Sequence, residues 1–215
     1  MMIDGFEKVD DLYAYQVDRS KSVEYGKEYH DKYEEYSKTD RGDAILKYRS
    51  SLIKNLSDYR FKVRAIKEFN ILDFGCGYAQ LRNTLSYPII YHAYDINEYS
   101  AKSISNKIDT VYIKENPEKY IYDCVCFFDS LEHIKEIAGL PKFFKTRSFI
   151  VSIPIFSDLD KIQESRHFRP DEHYWYFTDK GIRWFFESFG YYCISSGDEE
   201  IKAGREDIYT YVFKK

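Results

Sequence analysis

The stretch Ile71–Gln80, ILDFGCGYAQ, constrains this chain more than any other. An apolar run reaches Asp73 and Phe74, then Gly75-Cys76-Gly77, then a segment able to open a helix near Ala79. The reading is a buried strand, a tight glycine turn and a helix start. Glycines accept positive φ and let backbone approach a ligand with no Cβ in the way. A helix start points unpaired N–H groups at that ligand, and an acid at the strand end takes an ammonium or hydroxyl. Without a ligand, the same pattern is simply strand, turn and helix.

Pro88–Asn97, PIIYHAYDIN, ends its apolar run at Asp95, about twenty residues beyond the glycine turn. Doubly wound nucleotide folds grip ribose hydroxyls with an acid at this place. The dinucleotide fingerprint itself is absent, because position 80 is Gln. Further strands are expected at 70–74, 89–95, 110–114, 122–128, 148–153, 191–195 and 208–213. Helices are expected at 98–107 and at 179–189, the latter pressing Trp184, Phe185 and Phe186 on the sheet. The stretch 122–128 is nearly all apolar, as a strand buried on both faces must be. Strands alternating with helices, then two closing strands with no helix between them, predict an α/β, doubly wound, Rossmann-like sheet of seven strands whose last strand runs antiparallel.

Before this core, residues 1–20 read as a loose or partly helical arm. Tyr25, Tyr29, Tyr33 and Tyr36 recur at helical spacing, and a second amphipathic helix covers 44–61 with Arg49 upon it. The domain reading is a helical segment over 1–60, then a catalytic-type domain over 61–215 with an insertion at 156–178. That insertion is rich in aromatics and holds Arg166, His167, Arg169 and His173. It leaves from the carboxyl edge of the sheet, where open α/β sheets bind ligands, and so can roof the site.

The net charge of −4 supplies no global field toward nucleic acid or membrane. No apolar run spans a bilayer and no signal-peptide pattern opens the sequence. The four cysteines read as reduced, packed thiols, Cys124 and Cys126 on one strand face. A cytoplasmic protein is expected, with a small-molecule partner rather than nucleic acid or membrane.

Together, D-F-G-C-G at 73–77, Y-D-I-N at 94–97 and YDCVCFFDSLEHI at 122–134 resemble the class I S-adenosylmethionine (SAM)-dependent methyltransferases over roughly residues 60–215. The resemblance implies SAM as cofactor, with Asp73, Gly75 and Gly77 along its methionine half, Asp95 and Ile96 at the ribose, and Asp129 beside them. It implies an N-terminal helical lid with Tyr25 and Tyr29 as contacts, and sets Arg49 near the SAM carboxylate. Methyl transfer needs alignment and, for a hydroxyl acceptor, a base. His133 and His173 are the candidate bases, since imidazole titrates near neutral pH. The alternatives are an orienting hydrogen bond for His133 and a packed surface position for His173.

Asp129-Ser130-Leu131-Glu132-His133, with His173 ahead of an aromatic run and Thr178, is also similar to the metal-dependent methyltransferases of small-RNA 3′ ends. That likeness implies a divalent metal held by Asp129, Glu132, His133 and His173. Such a donor set suits manganese, iron, cobalt or zinc over magnesium. The alternative is that Asp129 and Glu132 shape the SAM pocket and His133 braces its loop. The expected activity is O-methylation of a hydroxyl on a small polar metabolite such as a sugar. Two other readings are methylation of an RNA terminus, with Arg166 and Arg169 on phosphate, and SAM binding without catalysis.

Overall fold

The computed structural model describes residues 5–18, 26–64, 66–104 and 110–215. In chain order, strands β1 (Phe6–Val9) and β2 (Tyr13–Gln16) form an antiparallel hairpin. Helices α1 (Lys27–Ser37) and α2 (Asp40–Arg64) follow. Then come β3 (Phe69–Phe74), β4 (Ile89–Tyr94), α3 (Glu98–Ile104), β5 (Thr110–Tyr112) and β6 (Cys124–Phe128). The rest is α4 (Leu140–Phe143), β7 (Ser148–Pro154), β8 (Trp175–Phe177), α5 (Asp179–Glu187), β9 (Tyr192–Gly197), α6 (Glu199–Lys202) and β10 (Ile208–Lys214).

Seven strands make the main sheet, in the order β5-β4-β3-β6-β7-β10-β9. Strands β5, β4, β3, β6 and β7 are mutually parallel, and β10 runs antiparallel to both β7 and β9. The expected fold class is therefore observed. Every residue of β6 and β7 is buried, which explains their unbroken apolar sequence. Alternate side chains feed two cores. Ile71, Tyr91, Cys124, Cys126 and Phe128 meet Ile53 and Leu56 of α2 on one face. Leu72, Val125, Phe127, Phe149 and Phe213 meet Ile182, Phe185 and Phe186 of α5 on the other. Trp184 is not pressed on the sheet; it is largely exposed and lies near Tyr13 of the hairpin. The four cysteines carry no disulfide.

Four further expectations change. The arm at 1–20 is a hairpin within its described residues, because β2 pairs with β8 and gains a sheet to join: Tyr13 opposes Phe177, Ala14 opposes Tyr176, and Tyr15 opposes Trp175. No α-helix follows the glycine turn; Gln80–Thr84 is a short 3-10 helix, introduced by Ala79 at φ 54°. Asn and Thr late in that segment are poor helix residues. A single helical turn, α6, separates the two closing strands. Finally, the insertion at 156–178 is not one loop. It contains a 3-10 helix (Leu159–Glu164) and β8, packed by Phe156, Leu159, Ile162 and Tyr176 against Ala14. At the seam between hairpin and core, Thr178 caps α5 by accepting from the Gly181 amide, while its hydroxyl reaches the Asp11 and Leu12 carbonyls. A Cβ at Gly181 would collide with the Leu12 carbonyl, so only glycine admits the hairpin this closely.

Candidate active site

The carboxyl ends of β3, β4 and β6 gather most of the residues singled out above. After β3, the Gly75 and Cys76 amides both donate to the Tyr94 carbonyl at the end of β4, at 2.8 and 3.1 Å. Gly75 has φ 76°, and a Cβ there would lie 2.6 Å from the Ser130 Cβ. Ser130 closes the same junction from β6 by donating to the Phe74 carbonyl at 2.6 Å. The turn between β3 and β6 is thus too tight for any other residue at 75. Asp95 accepts from the Gly77 amide and from the Asn97 amide, both at 2.8 Å, so its carboxylate ties the end of β4 to the glycine turn. Burial raises its pKa above the ordinary value. Ile96 beside it is largely exposed.

Asp73 is buried one residue inside the strand and accepts from the Tyr91 hydroxyl at 2.5 Å. Burial outweighs that hydrogen bond and pushes its pKa up to about 6. Tyr78, in the glycine segment, donates to Asp31 of α1 at 3.0 Å, which brings α1 against the turn. Of the expected lid contacts, Tyr25 lies outside the described residues and Tyr29 falls within α1.

Two charged clusters follow β6, three residues apart. In the first, Asp129 sits at φ 56° and meets two guanidinium groups. Arg205 contacts its two oxygens at 2.7 and 2.8 Å, and Arg49 contacts Oδ2 at 2.7 Å. Glu200 of α6, wholly buried, completes the set, with Arg49 at 2.8 and 3.0 Å and Arg205 at 2.6 Å. The guanidinium of Arg49 also lies over the Phe128 ring at 4.6 Å. The two arginines hold Asp129 well below the usual carboxylate range despite burial. Arg49 is therefore committed to carboxylates of this chain in the structure, not exposed toward a ligand carboxylate.

The second cluster holds Glu132, His133 and His173, each offering a ligand atom within 4.8 Å of the others. Asp129 is not part of it, since its carboxylate is turned to the two arginines. Glu132 is buried, and its Oε2 has no hydrogen-bond partner. Burial first, and the Asp129 charge second, push its pKa up to about 8. The rings of His133 and His173 meet edge to face with centroids 4.6 Å apart. Burial lowers both imidazoles, His173 to about 3, so both are neutral at pH 7. The Nδ1 of His173 lies 3.0 Å from the His167 carbonyl; a proton there leaves Nε2 as the acceptor or ligand atom.

The roof positions His173 through backbone. The His173 amide donates to the Arg169 carbonyl at 2.7 Å, and the Tyr174 amide donates to the Glu132 carbonyl at 2.8 Å. Gln16 of β2 donates its side-chain amide to the carbonyls of His173 and Pro170. Arg166 and Arg169 are exposed and pair with Glu206 and Glu172. Sequence reasoning missed Gln16, Glu200 and Arg205. Glu200 and Arg205 stand in a polar stretch that reads as solvated surface, and Gln16 lies in a short segment read as a loose arm.

A family model described as a methyltransferase domain matches residues 27–196. The chain belongs to this family, within the class I SAM-dependent methyltransferases. No curated protein matches it. Solved structures with the same fold include magnesium protoporphyrin IX methyltransferase from Synechocystis PCC 6803 with bound S-adenosylhomocysteine. It is 15% identical, with TM-score 0.60 over 88% of this chain and 94% of that one. A SAM-dependent methyltransferase from Clostridium acetobutylicum is 14% identical, with TM-score 0.59 over 86% and 98%. The 1,6-didemethyltoxoflavin-N1-methyltransferase of Burkholderia thailandensis is 12% identical, with TM-score 0.50 over 98% of each chain. No helix among the described residues is long and apolar enough to cross a membrane.

Proposed function

We propose that this protein transfers the methyl group of SAM to a hydroxyl of a small polar metabolite, a sugar being the leading class. One observation carries the reading. The glycine turn with Asp73 and Asp95, and the Glu132–His133–His173 cluster, open from the same edge of one sheet, following adjacent strands β3 and β6. In the proposal, Gly75 and Gly77 admit the methionine half of SAM with Asp73 beneath them. Asp95 and Ile96 flank the ribose, and Asp129 fixes the loop between cofactor and acceptor. The segments α1 and β8 close over the site and exclude water.

The methyl group of a sulfonium is already activated, so the protein's work is alignment and removal of one proton. A neutral His133 or His173 is in the right state to accept that proton. The donor set also fits a divalent ion: two neutral imidazoles, one fixed through Nδ1, and a buried carboxylate oxygen without a partner. Glu132, His133 and His173 would hold an ion of the manganese, iron, cobalt or zinc kind. Bound there, it would lower the pKa of a coordinated hydroxyl. That solved structures of this fold are named for magnesium protoporphyrin IX and 1,6-didemethyltoxoflavin supports a small acceptor.

The cofactor assignment is tested by calorimetry with S-adenosylhomocysteine. Asp95→Ala is expected to weaken binding by about one to two decades, or about 1.5–3 kcal/mol; unchanged affinity removes Asp95 from the site. Acceptors are then screened by mass spectrometry for a gain of about 14 daltons, one CH₂. Elemental analysis of chelator-free protein, with assays in EDTA and with added manganese, tests the ion. Full activity in EDTA leaves the histidines as bases.

A further inference from the structure

At the opposite pole of the sheet, where the parallel strands begin, lies a cleft of about 470 Å³. Five cationic side chains line it, Arg60, Lys142, Lys145, Arg147 and Lys215, against one acid, Asp123. The whole chain is acidic, with 36 Asp and Glu to 32 Lys and Arg. Crowding cations round a concavity in such a chain raises the local positive potential where field lines are focused. The cations come from separate places in the fold: α2, α4, the approach to β7 and the end of β10. Their convergence is therefore tertiary rather than one basic run.

Two features make this a prepared surface. Lys142 lies over the Phe189 ring at 5.3 Å and Lys215 over the Tyr191 ring at 5.2 Å, which steadies two flexible ammonium groups at the rim. Arg60 is largely buried and reaches Asp123 at 3.0 Å through Nη2, yet its Nε is buried without a hydrogen-bond partner. The wall of the cleft thus holds an unsatisfied donor on one of its own cations.

We infer that this cleft is a second ligand site, taking a small anion that carries a di- or triphosphate group. Five cations against one acid favour a ligand that carries more than one phosphate. The cations converge on one cavity from separate segments, which suits a compact anion over a nucleic-acid backbone. The cavity has the volume of ordinary small-molecule pockets. The length of β6, about 16 Å at the usual rise per residue, separates it from the glycine turn. A ligand here acts as an effector or an anchor, not as the methyl acceptor.

The experiment is calorimetry of the full chain with inorganic diphosphate and with ADP at low salt, beside S-adenosylhomocysteine as control. Saturable diphosphate binding is expected, weakening as salt rises from about 0.05 to about 0.3 M. The double variant Lys145→Ala, Arg147→Ala should lose at least about tenfold in diphosphate affinity while binding S-adenosylhomocysteine as the parent does. Both positions are exposed, so folding is expected to survive, and the control reports it. Three results overturn the inference: no saturable binding, equal binding by the double variant, or competition between diphosphate and S-adenosylhomocysteine. Capture of single-stranded RNA through Lys145 and Arg147, with diphosphate ignored, overturns it too.

Discussion

The two charged clusters beyond β6 are similarly buried and differently solved. Around Asp129 and Glu200, two carboxylates meet two guanidinium groups through six hydrogen bonds of 2.6–3.0 Å. Each charge in the set is matched by one of opposite sign. Around Glu132, no cation among the described residues forms an ion pair, an oxygen is left unpartnered, and burial drives the carboxyl and both imidazoles toward neutrality. Charge burial is costly unless paired, so the matched cluster reads as structure. The mismatched one reads as a place kept for something the chain does not itself supply.

The largest test breaks the matched cluster. Glu200→Ala leaves two buried guanidiniums sharing Asp129 and is expected to cost about 3–5 kcal/mol in urea unfolding. A loss under about 1 kcal/mol would mean that water already screens the network. Glu132→Gln tests the other side. It keeps shape and replaces a carboxyl that burial already holds near neutrality, so unfolding free energy should stay within about 1 kcal/mol of the parent. Methyl transfer and retained metal should nonetheless fall by about a hundredfold or more. Comparable destabilisation by both substitutions would erase the distinction between the clusters.

Asp73 sharpens the comparison as an intermediate case, a buried carboxylate whose hydrogen bond comes from a neutral tyrosine. Its folded pKa, about 6, lies above the ordinary carboxylate value of about 3.9, so between those values the folded state holds the proton more firmly. Its contribution to stability is therefore present below about pH 4 and lost as pH rises through about 6. Asp73→Asn cannot titrate, and its stability relative to the parent should rise by up to about 2 kcal/mol between pH 4 and pH 7.5. A pH-independent difference in urea midpoints would show that Asp73 is solvated.

What was legible in the sequence follows the same physics. Strands buried on both faces announce themselves, so β3, β6, β7 and β10 were found within a residue or two. The glycine turn and both acids were legible because close backbone approach restricts residue choice. Partners drawn from far along the chain were not. Arg205 and Glu200 sit in DEEIKAGRED, which reads as surface, and their burial is set by Arg49 and Asp129 more than seventy positions earlier. The hairpin was missed because FEKV and YAYQ are four-residue strands with weak alternation; β8 gives them their context. The aromatic insertion pointed correctly to order, while its pairing with the start of the chain lay outside any local signal.

That pairing governs the order in which the molecule can be completed. Residues 6–16 are made well before residues 175–177, and until those exist β2 lacks its β8 partner and Gln16 cannot seat His173. Loop closure over some 157 residues is slow compared with local turns. The glycine turn and its flanking parallel strands can form while the segments that cover them are still unmade, so that edge of the sheet precedes its cover during folding. A bulky fusion ahead of the hairpin would consequently delay or unsettle the histidine pair first, while leaving the seven-stranded sheet intact.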